Sequence, residues 1–123
     1  MANRLKSLLL LIFFSLSATG TGFAADKYGA IAYSPSSGAW GYWYDANSQG
    51  AANSNAMAAC RKHGRGCKVV THFHNACGAV YAGSNGWGAD WGNSRNQAER
   101  KAARRCSQYT SGCRLVAWSC TSR

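Results

Sequence analysis

The chain has 123 residues, 46% hydrophobic and 15% charged, with 14 Lys+Arg against 4 Asp+Glu for a formal charge of +10. That length holds one domain with a modest core. Four acidic residues leave few ways to build a carboxylate-based catalytic or metal site, whereas the basic excess favours nucleic acid, anionic lipid, lipopolysaccharide or acidic cell-wall polymers.

Residues 1–24 read as a secretory signal peptide. Arg4 and Lys6 form its positive start, Leu8 through Leu16 its apolar stretch, and Gly22 and Ala24 the small residues before a cut at Ala25. The apolar stretch is shorter than the roughly 20 residues a membrane-spanning helix needs. Cleavage would leave one domain, residues 25–123, with twelve basic residues against Asp26, Asp45, Asp90 and Glu99, a net of +8. A secreted or periplasmic location follows as the expectation.

Tyr28 through Tyr33 is a β-favouring apolar run, and Ser34-Pro35-Ser36-Ser37-Gly38 is a turn. Ala39 through Tyr44 predicts the second strand of a hairpin. Asn47 or Ser48 can cap a helix from Gln49 to about Arg61, favoured by five alanines. His63-Gly64-Arg65-Gly66 ends it, and Cys67 through Phe73 predicts a third strand.

The same order then recurs. Gly78 through Ala82 answers the first strand, Gly83-Ser84-Asn85-Gly86 the turn, and Trp87 through Trp91 the second strand. Ser94-Arg95-Asn96-Gln97 fits a capping box for a helix running to Cys106, and Cys113 through Cys120 closes the chain as a strand. Two copies of ββαβ, about residues 28–76 and 77–123, make an α+β fold. Antiparallel sheet packed by two short helices is the expected architecture.

All six cysteines lie in these copies, and an even count in a small exported chain argues for disulfides. Cys60-x6-Cys67 and Cys106-x6-Cys113 have identical spacing. If the copies fold alike, equivalent cysteines pair alike, giving Cys60–Cys67, Cys106–Cys113 and the remaining Cys77–Cys120. Each short bridge closes a loop of about eight residues and is worth roughly 2.5 kcal/mol in the chain-entropy account.

Tyr28-Gly29-Ala30-Ile31-Ala32, the two Cys-x6-Cys spacings, Asn75-Ala76-Cys77-Gly78-Ala79-Val80 and Val116-x-Trp118-x-Cys120 resemble the domain of unknown function 4189 family. The resemblance spans nearly all of residues 25–123. It implies a small exported bacterial domain and carries over no catalytic motif. One departure from strict repetition stands out: His72 and His74 occupy the places of Trp118 and Cys120.

His72-Phe73-His74 puts two imidazoles on one face of a strand. With Lys68 they could serve ribonuclease-like acid/base chemistry, and with a third ligand they could hold zinc or copper. Asp45 and Asp90 roughly correspond between the copies and are the conceivable carboxylate pair. No catalytic residue, metal site or cofactor is assigned from these patterns.

Nine cations surround the two Cys-x6-Cys loops: Arg61, Lys62, Arg65 and Lys68 in the first copy; Arg100, Lys101, Arg104, Arg105 and Arg114 in the second. Helix C-termini favour cations, but two helices do not need nine. If the fold brings the ends together, they form one anion-binding face. Five tryptophans on predicted strands supply core packing or a binding platform, with Trp40 and Tyr42 on one face and Trp43 on the other. The expected function is a non-catalytic interaction module, such as an exported effector, that binds a protein or anionic envelope partner. A small ribonuclease-like hydrolase using His72 and His74 is the alternative.

Overall fold

A computed structural model describes residues 26–122, so the expected signal peptide lies outside the described residues. The first unit comprises β1 (Tyr28–Tyr33), β2 (Trp40–Ala46), α1 (Gln49–Arg61) and β3 (Lys68–His74). The second comprises β4 (Cys77–Ala82), β5 (Trp87–Gly92), α2 (Arg95–Ser107) and β6 (Arg114–Cys120). The expected antiparallel pairing is present, and it forms two three-stranded sheets, ordered β2-β1-β3 and β5-β4-β6.

Strand alternation divides the apolar residues between two layers. Ile31, Tyr33, Phe73, Val80 and Ala117 form the core between the stacked sheets. Ala30 and Ala32 face outward onto α1, and Cys77 and Ala79 face outward onto α2. The result is four layers: helix, sheet, sheet, helix.

Each helix presents small residues to its sheet at positions i, i+4 and i+8. Ala52, Ala56 and Cys60 in α1, and Ala98, Ala102 and Cys106 in α2, are all buried completely. Gly41 and Gly88 complete the close approach. A Cβ on either would collide with the backbone nitrogen of Cys60 or Cys106.

Side-chain oxygens start both helices as their caps require. Ser48 Oγ accepts from the Ala51 amide and Ser94 Oγ from the Gln97 amide, each at 3.1 Å. Gln97 Oε1 accepts from the Asn93 amide at 2.6 Å, one residue outside the box expected from the sequence.

All three disulfides pair as expected: Cys60–Cys67, Cys106–Cys113 and Cys77–Cys120. The two short bridges tie each helix end to the following strand. Gly66 and Gly112, just before the second cysteine of each loop, have φ of +84° and +68°, a region that L side chains rarely enter.

The third bridge joins neighbouring positions of β4 and β6. In the first unit the equivalent positions hold Tyr28 and His74, whose rings stack at 4.5 Å. A covalent cross-strand pair in one sheet is thus an aromatic stack in the other.

Both units point the same way. Tyr33, at the end of β1, meets Trp87, at the start of β5, with ring centroids 6.0 Å apart. At the opposite end Asp45, near the end of β2, accepts two hydrogen bonds from Ser122, just beyond β6. Both helices therefore finish at one end of the sandwich, on its two outer faces.

Candidate functional site

The end where both helices finish carries the basic loops. Arg61, Lys62, Arg65, Lys68, Arg100, Arg104, Arg105 and Arg114 are exposed there or on the adjoining helix surface, and Lys101 is half-buried. Asp90 engages two of the nine: Arg105 Nε at 2.8 Å and Lys101 Nζ at 3.8 Å. The others make no ion pair among the described residues. Burial pushes the Asp90 carboxyl up. Hydrogen bonds from Arg105 and the Trp91 amide, with the Lys101 and Arg105 charges, more than reverse this and leave it below the usual carboxylate range.

Cations also rest on rings. Lys68 Nζ lies 5.1 Å from the Trp87 centroid, Lys101 Nζ 4.9 Å from Trp91, and the Arg95 guanidinium 3.8 Å from Trp118. Arg95 further pairs with Glu99 at 2.6 Å. The two basic loops thus share one end of the molecule but sit on opposite outer layers, with Lys68 and Trp87 between them.

Lys68 does not join the histidines. His72 pairs with Ala30 and His74 with Tyr28, on the face that carries α1. A bulge between Ile31 and Ala32 inserts Val70 into β3 and reverses the alternation beyond it. Lys68 therefore faces the other sheet. His74 Nε2 lies 3.3 Å from Asp26 and 3.4 Å from Asn75 Nδ2. Among the described residues no three His, Cys, Asp or Glu side chains converge as a metal would require.

Asp45 and Asp90 do not pair. A bulge sets Tyr44 and Asp45 together opposite Gly29, so Asp90 corresponds to Trp43. Asp45, at φ 59°, binds Ser122 Oγ at 2.6 Å and its amide at 2.7 Å. The Ser122 hydroxyl, then the Ser122 amide, hold the Asp45 carboxyl below its ordinary value.

The period-two pattern of β2 puts Trp40 and Tyr42 on one face, and the structure extends that row by one ring. Trp40 and Tyr42 stack at 6.0 Å and 13°, Tyr42 and Tyr44 at 6.3 Å and 17°. All three are exposed, at 39%, 40% and 49%. They overhang β6, and a groove of about 600 Å³ runs between the ladder and Leu115 through Cys120. Ser119 lines it; its Oγ is buried and has no hydrogen-bond partner. The spacing of Trp40, Tyr42 and Tyr44 carries the sequence signal for the ladder.

A chain of this organisation has known relatives. The NMR structure of Rv1813c from Mycobacterium tuberculosis superimposes with a TM-score of 0.60 at 26% identity, covering 96% of this chain and 99% of that one. Protein Rv1269c of Mycobacterium tuberculosis and Protein Mb1300c of Mycobacterium bovis are each 49% identical over 59 residues, 48% of this chain. The matched stretch spans 44% of the length of those two proteins. The model of the family described as a domain of unknown function, DUF4189, matches residues 28–120, and the chain belongs to that family.

Proposed function

We propose that this chain is a non-catalytic interaction module, secreted or periplasmic, that engages an anionic envelope component or a protein presenting one. The observation that carries the reading is the gathering of both basic loops at one end of a rigid sandwich. Seven of the nine cations there have no carboxylate partner among the described residues. Three disulfides agree with an exported domain, and among the described residues no helix is long and apolar enough to cross a membrane. The exposed aromatic row beside the basic end supplies contact area that charge alone lacks.

The test is capture from a cell-envelope extract by the oxidised protein, at low and at high salt. A second bait carries Gln at Arg61, Lys62, Arg65, Arg104 and Arg114. The module reading expects a defined partner that the Gln variant captures poorly. Equal capture by both baits, or RNA turnover lost on His72→Ala, would overturn it.

A further inference from the structure

The groove between β2 and β6 has a chemistry of its own. Its wall is the three-ring ladder, and its floor is the backbone and side chains of β6. Single exposed aromatics are ordinary on a protein surface, but a contiguous row of three is not. Ser119 is 3% exposed, and its hydroxyl, buried beside the groove, has no hydrogen-bond partner among the described residues, in a class of atoms that is nearly always satisfied. No charged side chain lines the groove. The charges stand at its end: Arg114 precedes Leu115, and His63, beside Trp40 on the α1 side, belongs to the turn carrying Lys62 and Arg65.

A ligand that matches this must offer flat apolar faces in a row, hydroxyls along their rims and negative charge nearby. Sugar rings have both faces and rims. Single-stranded nucleic acid also stacks, but a deoxynucleotide strand carries no hydroxyls between its ends to meet the unpartnered Ser119 Oγ, whereas every ring of a glycan does. The second unit lacks the site: Ala89 stands where the ladder has Tyr42, and Lys68 covers Trp87.

Resting on the interaction-module reading, we propose that the β2–β6 groove binds a strand of acidic glycan. Its sugar rings pack on Trp40, Tyr42 and Tyr44, a sugar hydroxyl satisfies Ser119 Oγ, and its acid groups meet Arg114 and the Lys62–Arg65 turn.

The experiment titrates the oxidised protein with hexagalacturonate, neutral chitohexaose and a deoxythymidine decamer, followed by tryptophan fluorescence and calorimetry. Hexagalacturonate should bind saturably and more tightly than the other two. Tyr42→Ala and Tyr44→Ala should each weaken it about tenfold, the scale of one lost stacking contact, with unchanged thermal midpoints. Trp91→Ala, which removes an exposed ring outside the groove, should leave binding intact. Ser119→Ala should weaken binding without lowering the melting temperature, separating a ligand contact from a packing role. Absence of hexagalacturonate binding, equal binding of chitohexaose, tighter binding of the decamer, or normal binding by the tyrosine variants would overturn the proposal. Envelope capture that survives Tyr42→Ala and Tyr44→Ala but fails in the Gln variant would sink the glycan site and leave the interaction module standing.

Discussion

Phe73 and Ser119 occupy equivalent positions in the two sheets, and the ring of Phe73 fills the space that both would need. Phe73 pairs with Gly29 and Ser119 with Gly78. A Cβ on Gly29 or on Gly78 would collide with the Phe73 ring. One phenyl ring thus serves both units at the middle of the sandwich, and symmetry must break there.

Phe73→Ala should therefore cost about 3–5 kcal/mol, the scale for emptying a buried aromatic site. Ser119→Phe should destabilise as well, by about 1–3 kcal/mol, because two rings would compete for one space. Urea unfolding of the oxidised protein measures both. A Ser119→Phe variant as stable as the parent would refute the shared-ring account.

The glycines under the helices make a second contrast. Gly41→Ala and Gly88→Ala should each cost about 1–3 kcal/mol, since the new methyl meets helix backbone that a disulfide holds in place. Gly50 sits in the first turn of α1, and a methyl group added there would have nothing within 4 Å. Gly50→Ala should instead stabilise by about 0.5–1 kcal/mol, through helix propensity and a less flexible unfolded chain. Opposite signs in the thermal midpoints are the expected outcome.

Much of this architecture is readable from local pattern. The Cys-x6-Cys spacings, the serine caps and the alanine-rich helices act over a few residues, so each strand and helix lies within two residues of its expected bounds. The bulges are hidden. One extra residue at Val70 turns Lys68 away from His72, and one at Tyr44 and Asp45 breaks the correspondence of Asp45 with Asp90. Strict alternation does not reveal either insertion, because Val69 and Val70 are equally apolar and Trp43 and Tyr44 are both aromatic, so neither pair marks which residue is the extra one. The groove is hidden for another reason: its two walls, β2 and β6, belong to different sheets and meet only when those sheets stack.

The three disulfides should differ in worth. Cys60–Cys67 and Cys106–Cys113 each span a sequence separation of 7, and Cys77–Cys120 spans 43. Chain entropy gives about 2.5 kcal/mol for each short bridge and about 4 kcal/mol for the long one. The stacked Tyr28–His74 pair shows that this cross-strand position can be filled without sulfur. A Cys77→Ala, Cys120→Ala protein should fold with a urea midpoint lower than that of either short-bridge deletion. Equal midpoints for all three deletions would remove loop length as the cause.

Acid should loosen the molecule through two carboxylates. Asp45 and Asp90 both have folded pKa values below their ordinary ones, Asp45 through Ser122 and Asp90 chiefly through Arg105, against the opposing effect of burial. A depressed carboxylate adds stability that is fully present above the unfolded value, about 3.9. In the window below it the unfolded chain holds more protons, so stability falls as pH drops through the folded values. Asp90→Asn and Asp45→Asn should each flatten the decline in melting temperature between pH 5 and pH 2. The same pH series in high salt separates the two, because screening weakens the Asp90–Arg105 charge attraction while leaving the Ser122 hydrogen bonds to Asp45 largely in place.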